Sequence, residues 1–419
     1  MSSLANKYET FRTVAKTRGV PGVLRVFEWS YLPRIVPGYR WTRERALIAA
    51  AAPDVFAVRR AHPTPDLVLG YFGGIGDELL LTVVVHELRR RGFANNWVIS
   101  EFPDVWRGND DPALVVRWEH RHLPWLEHFG WQFVRPHYTR YLGRGDRDLS
   151  PRKHILTLMC EAVGIVGPVE HKPHLHLTDE ERAAGALRPN QIAIQSAGLT
   201  ARFSMKTKQW FPERFQAVVD ALRPDFDLVQ IGSPKDPPLD GALDLRGQTT
   251  LRETAAVLAN SLTFVGQVGM PMHLARAVDC RSVIVYGGRE HPGQTGYGCN
   301  ENLYSPVPCS PCWKSNTCGH GMMCMRQITA DDVVRAVERQ VARHGQPLAV
   351  DTDVASVPPT APARTTPDGR TIVTLTDIYG NRRELTAKPL RRPEPAVAPS
   401  IDGASAADYD RDGAESAAA

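Results

Sequence analysis

The stretch Gly266-Gln267-Val268-Gly269-Met270-Pro271-Met272-His273-Leu274-Ala275 constrains this chain more than any other. Before it runs Leu262-Thr263-Phe264-Val265, a short apolar and β-branched run that predicts a buried strand. After it, Pro271 to Val278 predicts a helix with proline at its first position, where no backbone donor is lost. Strand, glycine turn and helix in that order belong to an open α/β sheet. Such a turn aims free amides and the positive end of the helix dipole at one spot, which suits a diphosphate. His273, in the first helical turn, adds a side-chain donor. An ordinary tight turn is the competing reading, because many αβ junctions carry a glycine.

A second junction of this kind opens the first half of the chain. Asp66-Leu67-Val68-Leu69-Gly70-Tyr71-Phe72 has a buried-strand pattern, followed by Gly73-Gly74-Ile75-Gly76-Asp77 and a helix expected from Glu78 to Arg91. Gly73, Gly74 and Gly76 let another molecule approach the backbone at the carboxyl edge of the sheet, where open α/β sheets bind ligands. The spacing departs from G-x-G-x-x-G, and an acid stands where the last glycine would be needed. Beside bound phosphates that carboxylate would be repulsive. Asp77 therefore suits either a helix N-cap or a general base for a neutral hydroxyl.

Further strands are expected at 96–100, 191–195, 227–231 and 282–286. Helices are expected from Ser150-Pro151, Pro212, Leu251 and Thr329 onward. Strands alternating with helices twice over predict two doubly wound α/β domains facing across a cleft. The expected boundaries are a basic extension over 1–65, a first domain over 66–180, a second over 181–345, and a largely disordered tail over 346–419. Within that tail, Thr371 to Leu385 has the pattern of a hairpin around Gly380-Asn381. Residues 101–150 show no clear period and read as loops and short helices lining the cleft.

Between Lys7 and Arg45 nine Lys or Arg stand against three Glu, interleaved with aromatics. That mixture suits a peripheral foot on an anionic inner-membrane surface. Pro21, Pro33 and Pro37 break a long amphipathic helix and favour the other reading, in which the aromatics pack on the first domain. A net charge of +4 over 419 residues is too small to argue for nucleic acid. No stretch has the length and apolarity of a signal peptide or membrane span, so the expected location is the cytoplasm. In that reducing setting Cys309, Cys312, Cys318 and Cys324 read as a structural metal site, zinc or iron, with free thiols as the alternative.

With these pieces in order, the chain resembles the heptosyltransferase-like glycosyltransferases of family nine, which have the two-domain GT-B fold. The resemblance is carried by Gly74-Ile75-Gly76-Asp77, by Lys208-Gln209-Trp210-Phe211-Pro212-Glu213-Arg214-Phe215 and by Ile231-Gly232-Ser233-Pro234. It continues through Gly269-Met270-Pro271-Met272-His273-Leu274-Ala275 and the cysteine segment, and spans roughly residues 66–345. It implies an inverting transferase that moves a sugar, such as heptose from ADP-heptose, onto a glycan, lipid-linked or protein acceptor. Asp77 would be the base. Lys208, the Gly269 and Met270 amides and His273 would hold the donor diphosphate without a catalytic metal. Ser233 and Asp236 would lie near the nucleoside. Where the family has Asp-Ser-Gly, this chain has Gln267-Val268-Gly269, which points to an altered donor or to a non-catalytic nucleotide-sugar-binding or scaffold relative. A nicotinamide-dependent oxidoreductase is disfavoured by the missing G-x-G-x-x-G and by Asp77.

Overall fold

A computed structural model of the chain describes residues 39–142 and 146–356, together with the backbone of three short strands, Arg364–Thr365, Thr371–Thr376 and Arg382–Ala387. The chain enters with α1 (Tyr39–Ala61), β1 (Leu67–Gly70), α2 (Ile75–Arg90), β2 (Asn96–Ile99), β3 (Leu114–Val116), α3 (Leu123–His128) and β4 (Phe133–Val134). The four strands make one parallel sheet in the order β3-β2-β1-β4. β1 is buried along its whole length, as a strand covered on both faces must be, and its run of apolar residues follows from that.

Part of the expected N-terminal extension belongs to this first half. Val55 on α1 is buried in a cluster with Trp97, Trp118 and Trp131, and the Trp125 indole donates to the Ile48 carbonyl (2.7 Å). The segment before Tyr39, and with it the membrane-contact reading, lies outside the described residues. No described helix is long and apolar enough to cross a membrane.

Helix α4 (Ile155–Ala162), β5 (Gly167–Glu170) and α5 (Asp179–Ala184) lead to the second half. There follow β6 (Gln191–Ile194), α6 (Pro212–Leu222), β7 (Asp227–Gln230), β8 (Leu243–Asp244) and α7 (Leu251–Ala259). Then come β9 (Phe264–Gln267), α8 (Met270–Ala277), β10 (Ser282–Gly287), α9 (Pro292–Thr295), β11 (Glu301–Tyr304), α10 (Met323–Gln327) and α11 (Ala330–Ala342). Local chemistry sets several starts. Pro212 opens α6, and Thr250 and Thr329 cap α7 and α11 in reciprocal bonds with Glu253 and Asp332. The strands form a parallel sheet ordered β11-β10-β9-β6-β7-β8. Chain direction across the sheet reverses between β6 and β9, as it does between β1 and β4 in the first sheet, and crevices at such points bind ligands.

The two halves share an apolar cluster that runs from Leu69, Leu80 and Val84 to Met272, Leu274 and Ile284. A polar latch adds to it. Arg252 on α7, 5 % exposed, pairs with Glu181 on α5 and donates to the carbonyls of Asp104 (3.1 Å), Arg107 (3.3 Å) and His176. The expected disordered tail needs correction at its start: β12 (Thr352–Ala355) pairs antiparallel with β5. The other three strands also form an antiparallel sheet, in which Thr371–Thr376 and Arg382–Ala387 are the arms of the expected hairpin. The turn at Gly380-Asn381 lies outside the described residues.

Arg252→Ala strips a buried guanidinium from a carboxylate and several carbonyls. Because Glu181 keeps contact with water, the expected cost sits below the range for a fully buried pair, about 2 kcal/mol. A urea-unfolding midpoint unchanged from wild type would contradict the latch.

Candidate functional site

Asp77 occupies the third position of α2, not its cap. Gly74 is the cap, in extended conformation, and its amide donates to Asp77 Oδ2 (2.8 Å). The Tyr138 hydroxyl donates to the other oxygen (2.9 Å). Burial pushes the Asp77 carboxyl above its ordinary value of 3.8, outweighing the bonds from Gly74 and Tyr138 and the cations Lys208 and Arg135. Gly73 must lack a side chain: a Cβ there would lie 2.5 Å from Asp77 Oδ2 and from the Tyr71 ring. Gly76 looks outward from the first turn of α2, and its Cβ direction ends 3.4 Å from Met270 Cα and 3.8 Å from His273 Cδ2. The first turns of α2 and α8 therefore touch across the boundary between the two halves.

The opposite wall is built by loops after β6, β9 and β10. Lys208 ends a short 3-10 turn, Lys206–Lys208, with its ammonium 2.6 Å from Glu290 Oε1. His273 pairs through Nδ1 with the Tyr297 hydroxyl (2.7 Å). Burial, then the Lys208 charge, push the imidazole down to about 4, so the ring is neutral at pH 7. Gly269 caps α8, and Met270 is its first residue. Thus Asp77, Gly76, Lys208, Met270 and His273 gather at one place, with Lys208 close enough to Asp77 for each charge to act on the other.

Ser233 and Asp236 share a turn, in which the Asp236 amide donates to the Ser233 carbonyl (3.0 Å). Asp236 accepts from the Leu199 amide, the Ser233 amide and the Ser233 hydroxyl, each at 3.0 Å. Its carboxylate organises the 199 and 233 loops. Gln267 also works on the scaffold. Its side chain accepts from the Trp210 amide (2.9 Å) and donates to Gln209 Oε1 (2.7 Å), fastening the segment after Lys208 to β9. Val268 is buried in the shared apolar cluster.

Sequence reasoning missed Arg289 and Glu290, which follow β10 and are both nearly inaccessible. Arg289 bridges Glu290 and Asp148 (2.7 Å) and lies 4.8 Å over the Trp313 ring. The signal available was a pair of charges directly after a buried strand and two glycines, a position shared by many turns. Arg202, from the loop after β6, reaches across to the Gly73 carbonyl and to Glu101, both at 2.7 Å.

The metal expectation is not supported. All four cysteines of the 309–324 segment are free thiols, Cys318 exposed and the others partly buried. Among the described residues no three His, Cys, Asp or Glu side chains converge on a point that would hold an ion. Backbone contacts fix the loop instead: Cys312 N donates to Gly288 O (3.2 Å) and Trp313 N to Arg289 O (3.0 Å). Burial pushes the Cys324 thiol up, helped by its neighbours Cys312 and Cys318.

Residues 156–321 match the model of glycosyltransferase family 9 (heptosyltransferase). No curated protein matches the chain. Among solved structures, the ADP-heptose LPS heptosyltransferase II of E. coli is similar with a TM-score of 0.50 at 13% identity, over 66% of this chain and 98% of that one. A family 9 glycosyltransferase of Veillonella parvula gives 0.47 at 14% identity, over 66% and 97%. The iron-containing dodecameric glycosyltransferase TibC of enterotoxigenic E. coli gives 0.49 at 16% identity, over 66% and 76%. The fold, two parallel sheets with α/β connections, matches that of these GT-B-like structures. Within the chain, residues 156–321 are the part similar to the family 9 model.

A carboxyl whose folded pKa is raised binds its proton more tightly folded than unfolded. Stability then falls as pH rises from the unfolded value through the folded one, and the loss persists above it. Asp77→Asn should therefore melt at a higher temperature than wild type at pH 7, with the gap closing as pH is lowered past the ordinary Asp value of 3.8. Thermal unfolding of both proteins across pH 3–8 checks this.

Proposed function

We propose that this chain is an inverting glycosyltransferase that uses a nucleotide-activated sugar. The observation that carries the reading is the meeting of Asp77 with Lys208, His273 and the first turn of α8 across the join of α2 and α8. An acid on one wall and a cationic, amide-lined recess on the other are the two groups that displacement at an anomeric carbon requires.

In this reading the Asp77 carboxylate takes the proton of an acceptor hydroxyl as its oxygen bonds to the anomeric carbon. The bond from that carbon to the diphosphate oxygen breaks on the opposite face, and the electron pair leaves with the nucleoside diphosphate. Lys208 and the amides at Gly269 and Met270 receive the growing charge, while neutral His273 can donate one hydrogen bond without adding a cation. Tyr138 and the Gly74 amide hold the Asp77 oxygens in place. The proton ends on Asp77, whose raised pKa makes it a better acceptor at neutral pH than an exposed aspartate. ADP-heptose, named for the E. coli relative, is the first donor to test. A glycan, lipid-linked or protein hydroxyl is the acceptor class.

Asp77→Asn should lower transfer by about 10²–10⁴-fold, the usual contribution of a general base, while leaving nucleoside diphosphate binding intact. Gly73→Ala should give an intermediate loss, because the new methyl must displace the same carboxylate. The assay is nucleoside diphosphate release from ADP-heptose with cell-envelope extract as acceptor, beside a melting-temperature shift with ADP. Full turnover in Asp77→Asn excludes the base. ADP binding with no turnover under any donor leaves a nucleotide-sugar-binding relative.

A further inference from the structure

Glu290 is 3 % exposed, and Lys208 nearby is 23 % exposed at its side chain. One oxygen of Glu290 serves both neighbouring cations, Lys208 Nζ at 2.6 Å and Arg289 Nη1. The Thr295 hydroxyl also bonds this carboxylate. Arg289 is fixed in turn by Asp148 Oδ2 (2.7 Å) and the Lys314 carbonyl (2.9 Å). The pairing therefore runs from a rigid base outward: Asp148 and Lys314 hold Arg289, Arg289 holds Glu290, and Glu290 holds Lys208 at the edge of the cleft.

We propose that Glu290 is a positioning residue of the donor site, which holds the Lys208 ammonium in place as the cation that receives the departing diphosphate. The inference rests on the transferase reading. A long lysine side chain in a partly buried cleft has two ways to fail, by turning away and by losing its proton. Glu290 opposes both. The charged or titratable groups facing Lys208 are Glu290 and Arg289 after β10, Asp77 on α2 and His273 on α8. Burial pulls the Lys208 pKa below 10.5 and Arg289 adds to that, while Glu290 is the largest opposing influence and Asp77 a smaller one. Glu290 itself, despite burial, is held down to about 2 by Lys208 and Arg289, so it is ionised wherever the protein is folded. The pair is thus a fixed anion supporting a cation that would otherwise titrate, on a side chain that is still 23 % exposed.

The sign follows directly. With Glu290→Gln, Lys208 loses its strongest support and should release its proton at a lower pH. Competitive labelling of the intact chain with trace acetic anhydride, read by mass spectrometry at Lys208 from pH 6 to 11, reports that midpoint with no donor present. The expected fall is about one pH unit or more in Glu290→Gln, with most of it restored in Glu290→Asp, which keeps the charge. ADP binding should follow the same order: near wild type at pH 6.5, then about tenfold weaker than wild type by pH 9 in Glu290→Gln.

An unshifted midpoint overturns the inference and leaves the transferase reading standing. So does an ADP affinity lowered equally at every pH, the result of a purely structural role. A shifted midpoint with no stabilisation of wild type by ADP, UDP, GDP or CDP overturns the transferase reading, and the donor role of Glu290 with it. Should Glu290→Gln fail to fold, Glu290→Asp decides: a small downward shift in its midpoint supports the pairing, and none overturns it.

Discussion

Two helix N-termini meet where Gly76 of α2 comes against Met270 of α8. Each first turn carries free amides and a partial positive charge, so bringing two together is unfavourable unless anions lie close by. The continuous apolar cluster beneath enforces the approach. Asp77, inside the first turn of α2, supplies one anion. A bound diphosphate would supply the other, at the end of α8 where the amides have no side-chain acceptor in the cap. The need for negative charge is thus a property of how the two sheets are joined, not of any one loop.

Burial tunes the groups around that point in a consistent direction, toward the neutral form. It raises the Asp77 carboxyl, lowers Lys208 and carries His273 down to about 4. Neighbouring charges then decide which groups stay ionised. Lys208 keeps a partner in Glu290, whereas His273 has a neutral hydroxyl as its hydrogen-bond partner and a cation close by, so it gives up its charge. A neutral imidazole avoids adding repulsion beside Lys208 while keeping a polar contact for a ligand. The result is one tuned carboxyl and one committed cation in the same low-dielectric space, where each interaction is stronger than it would be in water.

How much of this was legible in the residues depended on how local each signal is. The α6 start at Pro212, the α7 and α11 caps at Thr250 and Thr329, and the strands around 193, 229 and 284 follow from patterns a few residues long. β3 and β4 escaped notice because strands of three and two residues show no period, and their place in the sheet comes from pairing with distant neighbours. Asp77 reads as a cap in sequence, but Gly74 takes that role, since its extended backbone is free to turn the chain. Glu290 and Arg289 carry no motif at all; their meaning exists only after folding brings β10 beside Lys208 and Asp148. For Gln267 the residue type marked a change, yet its hydrogen bonds to Gln209 and Trp210 were needed to show what the change does.

The ties between the two halves are unequal, and their distribution decides where relative motion is cheapest. Away from Asp77 and Lys208, Arg252 is buried in its latch, the His154 ring pairs with the Gly296 carbonyl (2.9 Å), and β12 returns from the second half to lie on β5. Asp351, at the head of that strand, accepts from the His171 amide (2.8 Å) on one side and the Gly298 amide on the other. Near Asp77, Arg202 crosses half exposed to an exposed Glu101, while beside Lys208 and Glu290 the buried Arg289 crosses to Asp148 (2.7 Å). Exposed pairs of this kind contribute about 0–1 kcal/mol, while removing one partner of a buried pair costs about 3–5 kcal/mol. The Arg202 tie is therefore weak, whereas the Arg252 and Arg289 ties are strong, and the apolar cluster beneath the α2–α8 contact adds to them. Relative motion is cheapest at the Arg202–Glu101 contact, the exposed ion pair among these ties.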